Sequence, residues 1–96
     1  MFIKINKAGE KEILAVCDED IVGKKFEQGD LCIEISEVFY KDKKVNRKEL
    51  ESLLKYYGDI NIVGKQSIKI TLELGIIEKE SIIQIKGIPH AQIFTI

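Results

Sequence analysis

The sequence predicts an α+β fold: an N-terminal hairpin, a C-terminal hairpin and a middle strand in a mixed or antiparallel sheet packed with two helices. Three observations predict it. Phe2–Cys17 and Ile82–Ile96 each read as two apolar strands around a turn. Asn46 and Glu49 frame the start of an amphipathic helix. Finally, 96 residues that are 45% hydrophobic and 32% charged suit one small domain with one core, and nothing marks a boundary within residues 1–96.

In Phe2–Asn6, Ile3 and Ile5 alternate with Lys4 and Asn6, the period of a half-buried strand, and Lys7–Glu10 reads as the turn that follows. Ile13–Cys17 is apolar throughout, which predicts a strand covered on both faces. Asp18 is a candidate N-cap for one helical turn ended by Gly23, and Lys24–Asp30 reads as a loop. Leu31–Ser36 alternates again, with Leu31, Ile33 and Ile35 inward, and Glu37–Val45 reads as a long connection. At Asn46 the signal sharpens. Asn46 and Glu49 form a capping box, Val45 and Leu50 are placed as a hydrophobic staple, and Leu50, Leu53, Leu54 and Tyr57 recur at helical spacing, so a helix is predicted over Arg47–Tyr57 with Gly58 as its stop. Asp59–Val63 is a short apolar segment. In Gly64–Gly75, Ile68, Ile70, Leu72 and Leu74 alternate as in a strand, yet Gly75 followed by Ile76 is a helix stop, and helix is the preferred reading. Gly87-Ile88-Pro89 predicts the turn of the last hairpin, because glycine tolerates positive φ while proline fixes its own φ and holds Ile88 extended. His90 and Gln92 then leave that turn on one face of the outgoing strand and Ala91 on the other.

Fifteen basic and sixteen acidic residues give a formal net charge of −1, which argues against a surface covered in phosphate contacts but allows a local basic patch. No apolar run approaches the ~20 residues of a membrane span and no signal-peptide pattern opens the chain, so a cytoplasmic location without a membrane partner is expected. Cys17 and Cys32 follow apolar residues in strand-like segments and are expected reduced and buried.

Four chemistries can be weighed. Gly64-Lys65 opening a helix offers free amides to an anion, although Asp59 and Gln66 break the pattern of a nucleotide-binding P-loop. Cys17 with His90, oriented by Asp18 or Asn61, is one arrangement for a thiol nucleophile, but its apolar neighbours favour an inert thiol. Cys17, Cys32 and His90 contain no closely spaced ligand pair, so no metal and no cofactor are expected. Lys41, Lys43, Lys44, Arg47 and Lys48 lie beside Phe39 and Tyr40, a composition suited to phosphate contact with base stacking. Arg47 and Lys48 also stand in a first helical turn, where cations are unfavourable, a departure that favours a binding role.

Ala15-Val16-Cys17-Asp18, Gly23-Lys24, Asn61-Ile62-Val63-Gly64 and Pro89-His90-Ala91-Gln92 together resemble a short archaeal family catalogued as a conserved domain of unknown function (family four-two-four). The resemblance runs over nearly the whole chain. It implies an α+β domain and a helix over Lys65–Leu74. Its genes tend to lie near translation genes, which implies a translation-related partner.

The expectation is a non-catalytic module that binds RNA or a translation-related protein. Lys41, Lys43, Lys44, Arg47 and Lys48 would supply charge, and His90, Gln92, Asn61, Gly64, Lys24, Asp18 and Cys17 a binding surface. The alternatives are a small enzyme using Cys17, Asp18 and His90, or a protein-interaction module without chemistry. The sequence leaves catalysis and the oligomeric state open.

Overall fold

A computed structural model describes residues 1–95 and arranges them as a six-stranded mixed sheet, a separate two-stranded hairpin and three helices. β1 (Phe2–Ala8) and β2 (Lys11–Cys17) form the predicted antiparallel hairpin, pairing Phe2 with Cys17 and Ala8 with Lys11. β2 then pairs in parallel with β6 (Asp59–Val63), the segment that the sequence marks only as short and apolar. β8 (Ile88–Ile93) lies antiparallel to β6, β7 (Ile83–Ile85) closes one edge, and β5 (Lys43–Lys44) closes the other beside β1. The order is β5-β1-β2-β6-β8-β7.

Both faces of this sheet are covered, which is why β2 is apolar throughout. Leu14, Val16, Ile60, Ile62 and Ala91 pack under α2 (Arg47–Tyr56) and α3 (Lys65–Glu73) with Leu50, Leu54 and Ile68. Ala15, Cys17, Val63 and Ile85 face the other way, towards Ile33, Ile35 and Tyr40. Each large side chain so enclosed contributes about 1.5–3 kcal/mol.

The capping box is formed as predicted: Asn46 Oδ1 accepts from the Glu49 amide at 2.9 Å, and Glu49 Oε1 accepts from the Asn46 amide at 3.2 Å. α3 is a helix despite its strand-like alternation. Its buried residues are Ser67, Ile68, Ile70 and Thr71, and it ends at Gly75 (φ 72°) with the Ile76 amide bonded back to the Thr71 carbonyl at 3.2 Å.

Three readings need correction. Lys24–Asp30 contains β3 (Lys25–Gln28), whose only apolar side chain is the half-buried Phe26; it pairs with β4 (Leu31–Glu34), so that strand stands outside the main sheet and Leu31 is exposed. Glu37–Val45 contains α1 (Glu37–Tyr40), capped by Ser36 Oγ, and β5. The last turn is Lys86-Gly87, with φ of 54° and 75°, so Pro89 and His90 lie within β8 rather than in a turn. The proline is tolerated there because its nitrogen points past the end of β6. The Gly64 amide donates to the Pro89 carbonyl, while the Gly64 carbonyl accepts from Ile68 to open α3, so no strand donor is needed opposite it. The Ile88–Pro89 bond is trans.

Candidate functional site

On the face of the sheet away from α2 and α3, the pairing places Val63 opposite His90 and Asn61 opposite Gln92. Alternation sends all four side chains to that face. α1 packs over it. Ser36 starts this single turn and thereby fixes Tyr40, which is 3% exposed, with its hydroxyl over the centre of the sheet. Tyr40 Oη donates to Asn61 Oδ1 at 2.6 Å, and His90 Nε2 lies 3.1 Å from the same oxygen.

This arrangement fixes the imidazole. Burial lowers the His90 pKa below its ordinary 6.5, so the ring is neutral at pH 7. With Nε2 donating to Asn61 Oδ1, Nδ1 carries the lone pair. Burial also raises the Tyr40 pKa, so its hydroxyl remains a donor. Every buried side-chain nitrogen and oxygen among the described residues has a partner, whereas Asn61 Nδ2 and His90 Nδ1 have none there. Both atoms are therefore solvent-accessible, in a cleft of about 500 Å³ whose lining includes Cys32, Glu34, Phe39, Tyr40, Asn61 and His90. The cleft thus offers one amide donor and one imidazole acceptor beside aromatic rings.

Of the residues expected to form a binding surface, Asn61 and His90 meet here. Gln92 is exposed on the strand beyond, and Lys24 is exposed in the turn before β3; neither lines the cleft. Cys17 is fully buried, and its thiol is pushed up to about 12 by burial first and by the neighbouring Asp18 carboxylate second. Such a thiol is not a nucleophile at neutral pH. Cys32, in contrast, is exposed, because β4 turns Ile33 inward and Cys32 outward. No three His, Cys, Asp or Glu side chains among the described residues are grouped to hold a metal.

Asp18 does not cap its own helical turn. Its carboxylate reaches the start of α3, where Oδ2 accepts from the Gln66 amide at 2.9 Å and Oδ1 from the Ser67 amide and hydroxyl at 2.8 and 2.7 Å. The anion-binding reading of Gly64-Lys65 gives way for this reason: a carboxylate of the chain already occupies that helix end. Gly64 is required by the same contact. It has φ of 112°, and a Cβ there would collide with the Asp18 carboxylate.

The basic run is largely engaged within the molecule. Lys43 lies 3.9 Å from Glu49, Lys44 3.1 Å from Glu19, and Arg47 3.2 and 3.1 Å from Glu51 and Glu73. Lys41 stands 5.5 Å over the Phe2 ring. Lys48 makes no ion pair among the described residues. Arg47 in this first turn is paired with two carboxylates, which accounts for its place there, whereas Lys48 keeps the departure that favours a binding role.

Sequence reasoning missed Tyr40, Phe39, Glu34 and Cys32 as cleft residues. The available signal was Ser36 followed by Glu37, a cap and an acidic first turn ahead of Val38-Phe39-Tyr40.

A family model described as "Protein of unknown function (DUF424)" matches residues 5–96. A crystal structure of an uncharacterized conserved protein from Methanopyrus kandleri superposes with a TM-score of 0.74 at 27% identity, covering 96% of this chain and 88% of that one. No curated protein matches.

Proposed function

The chain belongs to this family of proteins of unknown function, and from its own geometry we propose that it is a non-catalytic module that binds single-stranded RNA, with an unstacked base in the Tyr40–Asn61–His90 cleft. The observation that carries this reading is the pair of free polar atoms on one wall, Asn61 Nδ2 and His90 Nδ1, held in place by a shared oxygen. A donor beside an acceptor complements a base edge that presents an acceptor beside a donor, as adenine does with its ring nitrogen and amino group, and the larger purine stacks more strongly than uracil. Phe39, half-buried and edge-to-face with the buried Tyr40 at 4.9 Å, supplies aromatic surface for stacking. Lys41, directly after Tyr40, and Lys48 would meet the phosphates, and Lys43, Lys44 and Arg47 can exchange exposed carboxylate partners for phosphate because such surface pairs are weak.

Fluorescence anisotropy with labelled oligoadenylate and oligouridylate tests this. Adenylate should bind more tightly, affinity should fall as salt rises, and Asn61→Ala should weaken adenylate binding about tenfold, the equivalent of roughly 1.4 kcal/mol. Equal binding of both oligomers, unchanged by Asn61→Ala, would contradict the reading.

A second reading rests on Cys32. It is a free, exposed thiol in the same cleft as an imidazole whose other nitrogen is held by Asn61, the order of groups that a thiol nucleophile needs. The polar partner of His90 is Asn61 and not Cys32, so binding is preferred. Alkylation of Cys32 by iodoacetamide decides: a rate that drops in His90→Ala supports activation, and an unchanged rate removes it.

A further inference from the structure

On the opposite face of the sheet, α3 and the segment leading into β7 enclose a groove of about 440 Å³. Ile68, Leu72 and Ile82 form its floor, and the exposed Lys65, Lys69 and Lys79 surround it. These three lysines come from two segments and make no ion pair among the described residues, and no acidic side chain lines the groove. Three ammonium groups without an ion-pair partner around an apolar floor complement a ligand that is apolar at its centre and anionic at its flanks. No aromatic residue lines the groove, so it offers no surface on which a base can stack.

The backbone beside the groove adds a second requirement. β7 is an edge strand, and Gln84 stands opposite Pro89, whose carbonyl is turned to Gly64 in the other direction. Gln84 is therefore the non-bonded member of its pair with β8, and its N–H and C=O point outward from the sheet. The next amide, Lys86, is closed off by Gln28 Oε1 at 2.7 Å. The open edge is thus short and centred on the residue whose side chain also lines the groove.

We infer that this face is a docking site for an extended acidic-apolar segment of a partner protein. The segment adds to β7 through Gln84, places an apolar side chain over Ile68 and Leu72, and sets its carboxylates against Lys65, Lys69 and Lys79. The site is independent of the RNA cleft: Pro89 faces the groove, and the next residue, His90, faces the cleft.

The test uses the intact chain and a labelled synthetic peptide that alternates leucine with aspartate and glutamate. An otherwise identical peptide carrying asparagine and glutamine, and a short oligoadenylate, serve as controls. The acidic peptide should bind, with affinity falling as salt rises. The Lys65→Glu/Lys69→Glu/Lys79→Glu variant should lose about tenfold or more, while Lys43→Glu/Lys44→Glu and Asn61→Ala leave binding unchanged. Gln84→Pro, at an edge position that tolerates proline, should weaken the peptide without altering charge. Circular dichroism of each variant separates loss of binding from loss of fold. Equal binding of the amide peptide, competition by oligoadenylate for the same three lysines, or self-association that buries them would each overturn the proposal.

Discussion

Two basic regions of this molecule behave in opposite ways. Lys41–Lys48 is dense in the sequence, yet Lys43, Lys44 and Arg47 each face a carboxylate supplied by the fold, from Glu49, Glu19, Glu51 or Glu73. Lys65, Lys69 and Lys79 are dispersed in the sequence and meet around one apolar groove without a carboxylate among them. Charge density along a chain and charge available to a partner are different quantities. The second is set by which acidic residues the topology brings within ion-pair distance, and here α2, the turn after β2 and the last residue of α3 bring them to the first region.

The largest expected effect breaks the comparison by removing the scaffold of the second region. Gly64→Ala would drive a Cβ into the Asp18 carboxylate and impose φ of 112° on alanine, so a loss of about 3 kcal/mol or more is expected in denaturant unfolding. Asp18→Ala leaves the amides of Gln66 and Ser67 and the Ser67 hydroxyl without their acceptor at the start of α3. A loss of about 2 kcal/mol is expected by the same measurement.

A smaller effect depends on pH. Burial lowers the His90 pKa in the folded state, so the folded chain binds a proton less readily than the unfolded chain. The stability this contributes is present above the unfolded value of about 6.5 and is lost as pH falls through the lower folded value. Unfolding midpoints of the parent chain should therefore drop more between about pH 7 and pH 5 than those of His90→Gln. The smallest effect sharpens the contrast itself. Lys43→Ala/Lys44→Ala removes only exposed pairs and should leave the unfolding midpoint within error of the parent.

Much of the fold was legible locally. The capping box at Asn46 and Glu49, the stop at Gly75 and the apolar run in β2 each carry a physical signal within a few residues. What was not legible depends on distant partners. β3 holds one apolar side chain and becomes a strand because β4 pairs with it. Pro89 suggests a turn by composition, and only the use of the Gly64 carbonyl by α3 lets it sit within β8. The site divides in the same way. His90 and Asn61 belong to the expected binding surface and do meet, whereas Tyr40 reaches them from a segment whose helical turn is four residues long. Asp18 looked like a local cap because its sequence neighbours are acidic, but its acceptors were claimed by amides 48 and 49 residues away.

The measurement that tests the contrast most directly is an amide chemical-shift map of the intact chain titrated with the acidic-apolar peptide. Shifts concentrated in Lys65–Leu72, Lys79 and Gln84, with Lys43–Lys48 unmoved, are the predicted result. Shifts concentrated in Lys43–Lys48, with α3 and β7 silent, would contradict the account.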